Sequence, residues 1–405
     1  MGSKELLYIL ILGLVSTLPA QILSQWRGIN RDGIYLNEKL LKTWPVEGPA
    51  LLWSVSNIGA GFSSPAVTPE GVYVTGMKNG KGYIFAFNHS GKLLWKKEYG
   101  AEWTKSQPGS RSTPTVVGNK IYVCSVPGMV VCLNAGNGTI IWKVDLVDNF
   151  GARHPIWGIT ESLLIDGDRL FCTPGGKNVL MAVLDRHTGK TIQTINGNGE
   201  ISAYCSPVLI KHGNRRLILT MTKNSVVGID AQSDKFLWHY PHQTRGYVNP
   251  NTPLYYKGQV YTVSGEGKGG QLFNLAPDGK SMKRIWADKT LDSFIGAAVL
   301  IDGFIYGSGH RNRGWHCIEW ATGKVNYTAK ELGNRGNIIS ADSLLYLYSV
   351  KGDVGLVEPN PEKFDVISTF KIQKGSGPHW AHLVIGEGRL YVRHGNVLMV
   401  YDISG

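Results

Sequence analysis

The chain has 405 residues, a formal net charge of +12, 51 glycines and 12 tryptophans. Apolar residues at 42% against charged residues at 18% exclude a disordered chain. The basic residues are scattered through turns, with no long run and no legible nucleic-acid module, so no nucleic-acid partner is expected. The plain reading of the charge is a solvated basic surface, and attraction to anionic surfaces or glycans is the alternative.

Residues 1–24 are laid out like an export segment. Lys4 supplies the early positive charge, Leu6 to Leu18 the apolar stretch, and Ala20 or Ser24 a small residue before a cut. A cleaved signal peptide and an uncleaved anchor are the two readings, followed by a single domain over residues 25–405. The expected location is periplasmic or extracellular, or at a membrane through the N-terminal segment alone. No cysteine follows the apolar stretch, which argues against lipid attachment there, and no later stretch is long and apolar enough to span a bilayer.

A polar opening, Gln25-Trp26-Arg27-Gly28-Ile29-Asn30-Arg31-Asp32-Gly33, leads to the strand Leu51-Leu52-Trp53-Ser54-Val55. Similar segments recur at Leu93–Lys97, Ile140–Val144, Phe236–Tyr240 and Arg284–Asp288, each closing a unit. The first copy has no unit before it. A turn residue followed by an alternating β-run appears eight times, beginning at Gly71, Gly118, Gly167, Gly213, Gly258, Gly303, Asp342 and Gly388. Within a unit, a Ser/Thr-Pro or equivalent opens the first strand, and a Gly turn such as Asn137-Gly138-Thr139 precedes the fourth.

Four strands in about 45 residues is the signature of a propeller blade. The expected fold is therefore all-β: an eight-bladed β-propeller of four-stranded antiparallel blades. The N-terminal strand Leu51–Val55 pairs with the C-terminal blade near Val397–Tyr401 to close it, with Trp53 as its buried residue. Seven blades is the alternative, because the seventh copy is short and has Asp342 where the others have Gly. The fourth-strand tryptophans Trp95, Trp142, Trp238 and Trp286 are expected to pack between blades.

Five cysteines leave at least one thiol unpaired within the chain. Cys124 and Cys132 flank the turn at Pro127-Gly128 and read either as a disulfide or as two small core residues. No Cys/His spacing suggests zinc.

The Gly-x-x-Tyr-Val strand, the Asn/Asp-Gly-Lys turn and the terminal Trp together resemble the PQQ-type (pyrroloquinoline quinone) propeller repeat, over Leu51 to Ser404. The opening Gln25–Gly33 and the segments Trp380–Val384 and Tyr391–Arg393 are similar to the same group, which includes quinoprotein alcohol dehydrogenases and BamB-like envelope scaffolds. The resemblance implies an exported binding or scaffold module, or else a PQQ-dependent dehydrogenase of alcohols or sugars with PQQ and Ca²⁺ as cofactors. The adjacent Cys-Cys pair of the dehydrogenases is missing, and no calcium ligand or catalytic Asp maps onto a matching motif, so no catalytic or metal residue is assigned.

In a propeller the residues before each first strand gather at one mouth of the axial channel. Those positions hold Arg111, His154, Trp157, Tyr204, Asn249, Arg335, Asn337, His379 and Trp380. Aromatic faces with converging donors suit a planar, anionic or sugar-like ligand. Channel-filling loops are the competing reading. His379 and His382 are not expected to share a metal. Arg311-Asn312-Arg313 reads as an exposed loop. The expected partners are an envelope protein or an extended peptide or glycan, met by a monomer.

Overall fold

The structure, a computed structural model, describes residues 23–37 and 39–405. The residues form eight β-sheets of four strands each, two of which gain a fifth strand from the N-terminal segment. The innermost strands are Ala66–Thr68, Thr115–Val117, Leu164–Asp166, Val208–His212, Leu254–Tyr256, Ala298–Ile301, Gly336–Ala341 and Val384–Gly386. They head blades 1 to 8 in chain order. Each blade is an antiparallel meander from the inner to the outer strand. The short seventh repeat builds a complete blade, so eight is correct and seven is not.

Blade 8 takes its outer strand from the N-terminal side. Leu51–Val55 pairs antiparallel with Val397–Asp402, with Trp53 opposite Val400. Eight apolar clusters each lie between neighbouring blades. The closing one joins Val72, Val74 and Phe85 of blade 1 to Tyr391, Leu398 and Val400 of blade 8. A blade thus has no core of its own and buries its faces on its neighbours.

Five tryptophans tie the seams in one way. The indole N–H of Trp53, Trp95, Trp142, Trp238 and Trp286 donates to a turn carbonyl of the next blade at 2.8–3.1 Å. The ring of Trp95 lies against Gly138, where a Cβ would come within 2.5 Å and where φ is +72°. That turn therefore requires glycine. Trp53 is only half-buried, a correction to the expectation: it sits on an edge strand with one side open to solvent.

Where the outer strand lacks tryptophan, the seam uses other chemistry. Blades 3 and 4 are joined by ion pairs Arg169–Asp234 and Arg216–Asp166. Blade 6 reaches blade 7 through Tyr327 on Phe364 and through Asn326 Nδ2, which donates to Pro361 O at 3.1 Å.

All eight outer strands carry a β-bulge at the same place, one residue before the tryptophan position. In six of them the bulged residue, Leu52, Leu94, Ile141, Ile192, Ile285 or Ile367, is exposed, while Leu237 packs on the seam of blades 4 and 5 and Asn326 bonds blade 7.

Cys124 and Cys132 are not bonded to each other. The hairpin register sets Cys124 opposite Val130 and Cys132 opposite Tyr122, and all five thiols are free and buried. The expected export segment lies outside the described residues up to residue 22. Its last two residues, Leu23–Ser24, form a short strand on the inner edge of blade 2.

Candidate functional site

The polar opening segment becomes a plug. Leu23–Ser24 pairs with Val116–Val117 of blade 2, and Ile34–Tyr35 runs parallel to Ser340–Ala341 of blade 7, so the stretch between crosses the axial channel. Two fully buried arginines pin it. Arg31 donates to the carbonyls of Ser162, Leu163 and Pro207 at 2.5–2.9 Å, on blades 3 and 4. Arg27 donates to the carbonyls of Ala298 and Ile338 at 2.7 and 3.0 Å, on blades 6 and 7. The forked guanidinium reaches several inner-strand carbonyls at once, as an ammonium would not. Burial lowers both guanidinium pKa values to about 10, which leaves them charged at neutral pH.

Above the plug lies a funnel of about 330 Å³. The loops that enter the inner strands build its wall, as the repeat predicts. Trp26 of the plug lines it together with Phe62, Trp157, Tyr204, Phe294 and Trp380. Trp157 packs on Tyr204 at 5.5 Å and on Phe294 at 6.2 Å, and Phe62 faces Trp380 at 5.1 Å. A small annex of about 90 Å³ shares Phe294, Ile295 and Trp380 with the funnel and adds His310 and Arg335.

The wall's polar groups are mostly committed. Arg111 donates to the carbonyls of Ser106, Gln107 and Trp157. Asn251 bonds Ser293 O, Val263 O and the N–H of Ala297. Thr160 Oγ1 donates to Tyr204 O at 2.9 Å. His382 Nε2 donates to Ile295 O at 2.8 Å, and its Nδ1 faces Arg27 at 3.3 Å. Burial, and then the Arg27 charge, lower the His382 pKa to about 3, so this ring is neutral and both its nitrogens are engaged.

Of the nine residues expected at the mouth, Arg111, Trp157, Tyr204 and Trp380 line the funnel and Arg335 lines the annex. The other four do not. His154 is exposed on the rim, with Nε2 on Pro127 O at 2.6 Å. Asn249 is fully buried and ties its loop to the carbonyls of Thr222 and His242. Asn337 is also buried, and its Nδ2 donates to Ala381 O at 3.0 Å. His379 bonds Tyr348 Oη at 2.6 Å and stacks on His394 at 3.6 Å. These four were placed correctly along the chain, but their side chains turn into seams or onto the rim.

Trp26, Phe62 and Phe294 were not singled out. Phe62 and Phe294 sit at the same loop position as Tyr204 and Trp380, each just ahead of its inner strand, a signal the repeat alignment carried. Trp26 carried none, because its place depends on where the plug crosses. The Arg311–Arg313 loop folds over Asp292, whose carboxylate accepts the N–H groups of Gly267, His310, Arg311 and Asn312 at 2.7–3.2 Å.

The group implied by the resemblance does not fit this funnel. Among the described residues no cluster of His, Cys, Asp or Glu is able to hold a metal ion, and no carboxylate lines the funnel. A quinone tricarboxylate would meet a largely aromatic wall, and the one guanidinium near it without a partner among the described residues, Arg335, lies in the annex.

The family described as outer membrane protein assembly factor BamB matches residues 80–329. The BamB of Kangiella koreensis is 29% identical over 148 residues, 35% of this chain and 34% of that protein. Tetrathionate hydrolase of Acidithiobacillus ferrooxidans is 25% identical over 230 residues, 53% of this chain and 44% of that one. The chain thus spans less than half the length of either curated relative. Among solved structures, BamB from Moraxella catarrhalis superposes with a TM-score of 0.63 at 15% identity, covering 87% of this chain and 97% of that one. A europium-containing methanol dehydrogenase gives 0.69 at 13% identity, covering 92% and 90%. Identities this low carry the fold alone.

Proposed function

The chain belongs to the family of outer membrane protein assembly factor BamB, and from that premise we propose that it is an exported binding module of the cell envelope that serves outer membrane protein assembly. In this reading a segment of a partner protein docks in the aromatic funnel. The supporting observation is the chemistry of that wall: six aromatic rings, no carboxylate, and a histidine whose two nitrogens are both engaged. Such a surface offers recognition area and no acid or base to run a reaction. The plug beneath makes it a one-sided recess.

The test is genetic and biochemical. Deleting the gene in its host is expected to lower the amount of folded β-barrel protein in the outer membrane, read by heat-modifiable gel mobility. The wild-type gene restores it, and a Trp157→Ala, Trp380→Ala double variant exported at the wild-type level does not. Unchanged barrel levels in the deletion strain would remove this reading. A melting temperature raised by added PQQ and Ca²⁺, with dye reduction on an alcohol panel, would replace it with the dehydrogenase.

A further inference from the structure

The funnel and its annex differ in one respect that narrows what they take. The backbone carbonyls named above in the funnel are already satisfied from within the protein. Side-chain groups remain open, the Gln107 amide among them, and several of them are donors only. The indole N–H groups of Trp26, Trp157 and Trp380 make no hydrogen bond among the described residues, and neither does the guanidinium of Arg335.

The annex is also short of negative charge. Burial disfavours the charge of Arg335, and Arg313 lies close enough to add to that effect. Neither has an ion-pair partner among the described residues. The nearby acids are occupied: Glu266 pairs with Arg311 at 2.7 Å, and Asp292 holds four backbone N–H groups. Lys289 and Lys330 border the same flank, in a shallow depression with Arg313.

We propose that the funnel takes an aromatic side chain of an extended peptide while Arg335, backed by Arg313, takes a carboxylate on the neighbouring residue. This rests on the binding-module reading and names the motif that module recognises. A carboxylate only accepts hydrogen bonds, which suits the open guanidinium and indole donors. A sugar ring fits the volume but brings hydroxyl protons, and with the named wall carbonyls taken only side chains such as Gln107 are left to accept them. The aromatic side chain brings no such demand and buries its face on the rings of Phe62, Trp157 and Trp380.

Calorimetry on the purified chain tests this with three blocked peptides, acetyl-Gly-Trp-Asp-Gly-amide, its Asn analogue and its Ala-for-Trp analogue, and with a glucuronic acid oligomer. The Trp-Asp peptide is expected to bind about tenfold tighter than the Asn analogue, corresponding to one charge-assisted contact. The Ala analogue is expected to show no heat. Arg335→Gln, checked for an unchanged melting temperature, should bind the Asp and Asn peptides equally while still preferring Trp over Ala. Equal binding of Asp and Asn peptides by the wild-type chain, or no binding of any peptide, overturns the proposal. Binding of the glucuronate oligomer in place of the peptides overturns it in favour of a glycan. If the peptides fail while the deletion strain still loses folded barrels, only the motif falls and the module reading stands.

Discussion

The two ends of the axial channel use the same residue types for opposite purposes. At the plugged end, Arg27 and Arg31 are fully buried and spend their donors on backbone carbonyls of four blades. At the open end, Arg335 has no partner among the described residues and Trp157 and Trp380 are only half-covered. A buried guanidinium bonded to several carbonyls at once fixes geometry. One left unpaired beside aromatic faces is available to a ligand. Charge and ring count do not separate structure from recognition here; the satisfaction of each donor does.

The largest effect that would break the comparison comes from removing residues 25–56. That deletes the plug and the closing strand together and exposes the seam between blades 8 and 1. The expected outcome is loss of the cooperative thermal transition, far beyond what trimming a frayed terminus does. A transition kept within a few degrees of wild type would show that the ring holds without its closure.

A smaller effect separates the two ends directly. Arg31→Ala leaves three buried carbonyls without their donor and is expected to cost about 3 kcal/mol in denaturant unfolding. Trp380→Ala at the mouth is expected to cost about 1 kcal/mol while removing peptide binding. Equal costs would mean that the mouth is packed as tightly as the plug.

The smallest effect is in pH dependence, and it draws on buried groups at both ends. Burial raises Glu102 and Glu161 to about 7, and lowers His242 and His382 to about 3. The carboxyls bind protons in the folded state between about pH 7 and 4.5, so they add stability as pH falls through that range. The histidines stay neutral when folded but protonate when unfolded below about 6.5, so they remove stability as pH falls from there. The two trends oppose each other between about pH 6.5 and 4.5, and His379, which burial lowers to about 4, with His310 and His316, also lowered by burial, adds to the loss as pH falls. In Glu161→Gln one carboxyl no longer compensates. Its stability should fall more steeply than that of the wild-type chain over this range, by about 1.4 kcal/mol more per unit, read from urea midpoints. A variant that follows the wild-type slope would show that Glu161 is not buried as described.

The ring itself could be read from the sequence because its markers are local. Gly138 must adopt positive φ under Trp95, and the strand after Gly118 must alternate, so eight such units are visible without any long-range information. The closing strand was legible by elimination, since Leu51–Val55 had no unit before it. The plug was not. Arg31 meets its carbonyl partners 131 to 176 residues away, and Arg27 meets Ile338 across 311, so nothing near either residue marks it as buried. The mouth loops were located by position, but side-chain direction in irregular chain follows no period. That is why Asn249 and Asn337 were expected in the funnel and are found in the seams. Trp53 was expected to be covered because its pattern matches the other outer-strand copies, of which Trp142 and Trp238 are buried, and like Trp95 and Trp286 it is half-open on a strand with nothing outside it.

The bulge repeated in every outer strand bears on how these molecules coexist at high concentration. A flat outer strand would offer a neighbouring molecule a row of free amide and carbonyl groups, and eight of them around one rim would invite side-by-side polymerisation in the confined, chaperone-poor space outside the inner membrane that we propose for this chain. Each bulge interrupts that row, in most blades close to the start of the strand, and bends it away from a foreign strand that would zip onto it. The exposed Leu52, Ile141 and Ile285 therefore sit where their apolar character does least harm, on a kinked edge that does not template a sheet.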